Sequence, residues 1–159
     1  MRIWFIRHAE AVEANVFPGS DLDRPLTAAG RRSAKNLFTH LARIRRAPDL
    51  AIASEATRAW ETARIFGLCF HLEQHQRSPL LNPGCTAKHF RKLLTSLPAP
   101  VELLAVFGHE PDFSAIIGGL IGGTPHSLAM KKGALAEVEL VKGKTSGRLL
   151  QLIPPDVIP

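Results

Sequence analysis

The chain has 159 residues, 45% hydrophobic and 21% charged, a balance that predicts one globular domain over residues 1–159 and excludes intrinsic disorder. No apolar run approaches the roughly 20 residues needed to span a bilayer, so no membrane partner is expected. A net charge of +6 favours anionic ligands, but the cations are scattered, Tyr is absent and aromatics are 6%, so no nucleic-acid partner is expected.

Arg2 to Ile6 (RIWFI) reads as a short buried strand that stops at Arg7-His8. The opening MRIWFI is interrupted too soon for a signal peptide. Cys69 and Cys85 are the only cysteines and lack metal-type spacing, so neither a disulfide framework nor a zinc site is implied. A reduced, cytoplasmic location is the expectation. Residues 9–25 carry Pro18, Gly19, Ser20, Asp21, Asp23 and Pro25 and read as a loop. Thr27 then offers an N-cap to a helix with Ala34, Leu37, Phe38, Leu41 and Ile44 on one face, ended by Pro48. Leu50–Ala53 is a second buried strand, and Thr57–Leu68 a second helix. The stretch from His71 to Gly84 is irregular, and Thr86–Leu97 is an amphipathic helix.

Val101–Phe107 is the strongest strand in the chain. Pro111 sits where the next helix begins, and Phe113–Leu120 continues it. Ala134–Val141, the turn from Lys142 to Gly147, and Arg148–Ile153 carry a hairpin signature, and the tail from Pro154 is expected to be loose. Strands alternating with helices predict an α/β fold of three layers, α/β/α, with a mostly parallel central sheet closed by a C-terminal antiparallel hairpin.

Ionisable groups recur where these strands end. Arg7 and His8 follow the first strand. Ser54 follows the second, with Arg58 four residues on, and Gly108-His109 follows the strongest. Open α/β sheets bind ligands beyond the carboxyl ends of their parallel strands, so two arginines and two histidines are expected around one small volume. That set suits a phosphoryl group, whose transition state spreads charge over three oxygens. Arg pairs with phosphate oxygens bidentately. A neutral imidazole can attack phosphorus, and neighbouring arginines push its pKa below the usual value of about 6.5, towards that neutral form.

Four segments carry a family resemblance. Ile6-Arg7-His8-Ala9-Glu10-Ala11 resembles the opening R-H-G/A motif of the histidine phosphatase superfamily, which includes the phosphoglycerate mutases. Leu26-Thr27-Ala28-Ala29-Gly30 is similar to its L-T-x-x-G segment. Ser54 to Ala63 resembles its S-x-x-x-R-A-x-x-T-A helix start, and Gly108-His109-Glu110-Pro111 its G-H-x-P segment. The chain length, Leu81-Asn82-Pro83-Gly84 and Lys132-Gly133-Ala134-Leu135 narrow the resemblance to SixA-type phosphohistidine phosphatases. The resemblance implies a phosphoglycerate mutase-like fold, with His8 as nucleophile and Arg7, Arg58 and His109 as the phosphate-binding set. It implies no metal and no cofactor. The partner would be a phosphohistidine-containing protein or a small phosphorylated substrate, and a phosphate or sulfate ion is expected in the pocket.

One departure bears on the substrate. Larger relatives supply a carboxylic acid from the region before the Pro-Gly turn, to protonate an alkoxide leaving group. Leu80 and Asn82 occupy that stretch, and no Asp or Glu occurs from Gln74 to Val101. A protonated imidazole leaves with far less help, which points to phosphohistidine. Glu10, Glu110 and Asp112 remain possible donors or supporting groups. Ser54 fits an N-cap as well as an active-site orienter, while Thr62 and Trp60 read as packing. His71 and His75 do not make a zinc-binding helix. Cys85 and Arg91 have Cys-x5-Arg spacing, but the intervening residues lack the glycines a phosphate-cradling loop needs. With so little material for lids, an open, shallow pocket is expected. Two rivals stay open: a superfamily phosphatase of a small phosphorylated metabolite, and a phosphate- or nucleic-acid-binding module without catalysis.

Overall fold

The computed structural model describes residues 1–98, 100–141 and 146–157. Its centre is strand β1 (Arg2–Arg7), whose four inner residues are buried. Beside it run β4 (Leu103–Gly108), in parallel, and β5 (Leu135–Leu140), antiparallel. With β2 (Leu50–Ala53), β3 (His75–Arg77) and β6 (Gly147–Ile153) they form one six-stranded sheet in the order β3-β2-β4-β1-β5-β6. The first four strands of that order are parallel, and β5 and β6 make the antiparallel hairpin.

Successive side chains of a strand face opposite sides, so each run of apolar residues fills two cores. On one face Trp4 and Ile6 meet Leu37 and Phe38 of α1 (Ala28–Ile44), and Ala63 and Phe66 of α2 (Thr57–Phe70). On the other, Ile3 and Phe5 meet Phe90 and Leu93 of α3 (Ala87–Thr95), and Phe113 and Ile117 of α4 (Asp112–Leu120). The three predicted layers are present. No helix among the described residues is long and apolar enough to cross a membrane.

The differences from the sequence reading have local causes. Strand β3 lies in the stretch expected to be irregular; at the sheet edge its His-Gln-Arg backbone pairs with β2 without an apolar face to announce it. Helix α2 runs two residues past Leu68 because His71, at φ 52°, supplies the left-handed cap that usually falls to glycine. The tail is not loose up to Val157: Pro155–Val157 form a turn of 3-10 helix, and Asp156 pairs with Lys131 at 2.6 Å. Most of the predicted turn from Lys142 to Gly147 lies outside the described residues.

Candidate active site

The carboxyl ends of β1, β2 and β4 converge as the strand pattern predicts. His8 N donates to Gly108 O at 3.0 Å, and Ser54 N to Phe107 O at 2.9 Å, so the ends of all three strands are stitched to one another. On its other side β1 meets the turn before β5. There Arg7 N donates to Ala134 O at 3.1 Å, and Gly133 N to His8 O at 3.0 Å. The peptide carrying His8 is held from both flanks.

Around it lies a cavity of about 230 Å³, lined by Arg7, His8, Arg24, Arg58, His109 and Lys132, with Ala11, Glu13, Pro83 and Glu110. Larger hollows elsewhere hold none of these groups. His8 is 8% exposed and His109 3%, so the imidazoles are recessed rather than set in a shallow dish. The loop from Val12 to Arg24 contributes Glu13 and Arg24 to that lining. Its Asp21 takes both ends of Arg58: Nη1 donates to the carbonyl at 2.6 Å and Nη2 to Oδ2 at 2.9 Å. Arg24 is tied to the same carboxylate at 2.7 Å and to Val12 O at 2.6 Å. Arg7 Nη1 donates to Met130 O at 2.6 Å. Both Arg7 and Arg58 keep a buried Nε without a partner among the described residues.

The two rings sit 5.2 Å apart, inclined at 54°. His8 Nδ1 is 2.7 Å from Ala9 O. A carbonyl only accepts, so Nδ1 carries the proton and Nε2 the lone pair. Burial, together with the charges of Arg58, Arg7 and Lys132, pushes the His8 pKa down to about 4, against the pull of that hydrogen bond. The ring is therefore neutral near pH 7. His109 is pushed down to about 3, chiefly by burial and then by His8 and Arg58.

Ser54 fixes how His109 stands. Its Oγ donates to Asn82 Oδ1 at 2.9 Å, an oxygen that also accepts from Glu55 N at 2.8 Å. With its proton spent there, Oγ accepts from Ala56 N at 3.1 Å and from His109 Nε2–H at 3.0 Å. Helix α2 takes Ala56 as its N-cap, with no side-chain cap; Ser54 serves both the backbone and the histidine.

Of the carboxylates singled out in the sequence, Glu110 lines the cavity and accepts from the Ser114 hydroxyl at 2.8 Å. Glu10 is turned to the Thr27 hydroxyl at 2.7 Å and does not line the cavity. Asp112 accepts from Gly84 N and Cys85 N and holds the Pro-Gly turn. Cys85 is buried, its thiol pushed up to about 12 by desolvation and by Asp112, and it too lies outside the cavity. Among the described residues no three His, Cys, Asp or Glu side chains converge as a metal site.

Four residues were not singled out in the sequence: Glu13, Asp21, Arg24 and Lys132. The first three sit in a stretch whose composition says only loop, and Lys132 served there only as a mark of resemblance. Thr62, read as packing, does more: its Oγ1 accepts from Ala9 N at 3.1 Å and donates to Arg58 O at 2.7 Å, linking the loop after β1 to the arginine's helix. The resulting arrangement, a neutral imidazole with an exposed lone pair beside fixed guanidiniums, can receive and attack a tetrahedral oxyanion.

Known proteins share this fold. The protein histidine phosphatase SixA, solved with tungstate, superposes with a TM-score of 0.88 at 23% identity, covering 100% of both chains. The putative phosphohistidine phosphatase SixA from Agrobacterium tumefaciens gives 0.81 at 24%, covering 97% of each. A putative alpha-ribazole-5'-P phosphatase from Escherichia coli gives 0.76 at 20%, covering 98% of this chain and 97% of that one. At these identities the likeness establishes the fold. No curated protein matches the sequence. The family model of the histidine phosphatase superfamily (branch 1) matches residues 3–82, the half of the chain that carries β1, the Thr27 cap, β2, Arg58 and Asn82, and the chain belongs to that superfamily.

Proposed function

We propose that the protein hydrolyses phosphohistidine on a partner protein through a covalent phospho-His8 intermediate. One observation carries this reading: the Nδ1 proton of His8 is committed to Ala9 O, which leaves a neutral Nε2 lone pair among Arg7, Arg58 and Lys132. In the first step Nε2 attacks phosphorus in line, a bond from Nε2 to phosphorus forms, and the bond to the substrate's imidazole nitrogen breaks. Arg7 and Arg58 hold the equatorial oxygens as charge develops. The substrate's imidazole, protonated on its other ring nitrogen before the bond breaks, leaves as neutral imidazole, so little acid assistance is required. In the second step a water oxygen bonds to phosphorus, the bond to Nε2 breaks, and the water's proton ends on the released phosphate.

SixA has been solved in complex with tungstate, a tetrahedral oxyanion, and a phosphate or sulfate ion is expected to bind here. The charge of a bound anion opposes the burial that depresses the His109 pKa and raises it from that low value.

A second reading, turnover of a small phosphorylated metabolite, is favoured by the recessed rings and by Glu110, a carboxylate in the lining that could protonate an alkoxide. Alpha-ribazole phosphatases share the fold. One experiment separates the readings: quench the enzyme with a ³²P-labelled phosphohistidine protein and with a labelled alkyl phosphate, then map acid-labile label. Label on His8 from the first substrate, lost in His8→Ala, is the expected result. Efficient turnover of the alkyl phosphate, with the phosphohistidine protein untouched, would overturn it.

A further inference from the structure

We propose that Lys132 is a second anion-binding point at the mouth of the pocket, selecting substrates that carry a carboxylate beside the reacting phosphoryl group, and that Glu13 holds its place until substrate arrives. The inference rests on the proposed phosphoryl site between Arg7 and Arg58.

The four cations of the lining are held differently. Arg7, Arg24 and Arg58 each donate to a backbone carbonyl, and the last two are also shared with Asp21. Lys132 has one partner among the described residues, the Glu13 carboxylate at 3.1 Å. The Lys132 side chain is 40% exposed and that of Glu13 69%. Ion pairs this exposed contribute little to stability, because water and salt screen them, so the lysine can change partners at small cost.

Its backbone, by contrast, is locked. Ala134 N donates to Lys131 O at 2.9 Å, closing a turn with Lys132 at its second position and Gly133 at its third. Gly133 has φ +82°, a conformation this turn type requires and other residues resist. Gly133 N in turn donates to His8 O. The lysine is thus mounted one residue from a hydrogen bond to the nucleophile's own peptide, and its charge bears on the His8 ring. A point charge on a flexible stem over a fixed base suits a carboxylate whose distance from phosphorus varies between substrates.

The carboxylate could be an acidic side chain next to a phosphohistidine, or belong to a small phosphorylated acid. Binding without turnover tests both sources. Peptides bearing a non-hydrolysable triazole phosphonate in place of phosphohistidine, flanked by Glu or by Gln, form one arm. Phosphonoacetate against methylphosphonate forms the other. The wild type is expected to prefer the carboxylate-bearing member about tenfold; Lys132→Gln should erase most of that preference and Glu13→Gln should widen it. Preference in the peptide arm assigns the carboxylate to a protein partner, and preference in the small-ligand arm alone assigns it to a metabolite. Preferences unchanged in both variants would overturn the inference and leave the proposed function standing. Failure of the wild type to bind any of the four ligands would remove the phosphoryl site itself, and both proposals with it.

Discussion

The smallest decisive detail is one hydroxyl proton. Ser54 Oγ gives it to Asn82 Oδ1, and the orientation of that amide is fixed by Glu55 on both sides, through its N–H at 2.8 Å and its carboxylate at 2.9 Å. Because Oγ can then only accept from His109, Nε2 of that ring is protonated and Nδ1 is left buried without a partner among the described residues. Replacing Ser54 by Ala removes the acceptor, leaves a buried N–H without a partner and frees the ring to rotate. A hydrogen bond of this kind is worth about 1 kcal/mol or more, close to tenfold in rate where the transition state depends on it. Ser54→Ala is therefore expected to lower kcat about tenfold or more, while Ser54→Thr, which keeps the hydroxyl, retains most of it; steady-state rates on a phosphohistidine protein check both. In the sequence this serine stood evenly between helix cap and orienter. The residue that decides the matter, His109, is 55 positions away, and no local pattern records which way a hydroxyl turns.

At the scale of elements, the motifs legible in the sequence acquire mechanical reasons. Thr27 accepts from Gly30 N at 2.9 Å as the cap of α1, while its own N–H donates to Glu10 O at 3.0 Å, so the helix start is pinned to the loop that follows the nucleophile. Gly30 is what allows the approach: a Cβ there would lie 2.1 Å from Glu10 O. Alanine normally favours a helix over glycine by about 1 kcal/mol, but a backbone oxygen cannot step aside as a side-chain tip can, and the clash wins. Gly30→Ala is expected to destabilise the protein by about 2 kcal/mol and to cut activity by moving residues 9–11. Gly119→Ala, in α4 with nothing within 4 Å of the added carbon, should instead stabilise by about 0.5 kcal/mol. Urea unfolding of the two variants gives opposite signs if the contact rather than propensity decides. The sheet, its hairpin and the ends of β1, β2 and β4 were legible because buried apolar runs and their abrupt charged ends are local signals. Strand β3 was not, since a polar edge strand looks like a loop, and neither was Asp21, whose reach to Arg58 crosses 37 positions.

Across the whole molecule, the site imposes a pH dependence on stability. His8 and His109 are held neutral in the fold, with pKa values near 4 and 3, below the ordinary 6.5. A depressed histidine pKa means that the unfolded chain binds the proton more readily, so the stability is fully present above pH 6.5 and is lost as pH falls towards the folded values. At pH 5 the loss is about 2 kcal/mol for each ring. The carboxylates with lowered pKa values, Asp21, Asp49 and Asp156, start from an ordinary value of 3.8, so their contribution is lost mainly below that, and the fall above about pH 4.5 belongs to the histidines. The free energy of unfolding, measured in urea, should be flat from pH 8 to about 6.5 and fall steadily to pH 4.5. Inorganic phosphate should raise it, because only the folded state offers the anion two guanidiniums in one pocket. The slope, not the absolute stability, carries the test: a His8→Gln, His109→Gln double variant is expected to lose most of the fall between pH 6.5 and 4.5 whatever its starting stability. If the double variant declined as steeply as the wild type, the two rings would not be the groups that titrate, and the neutral nucleophile inferred for His8 would lose its electrostatic basis.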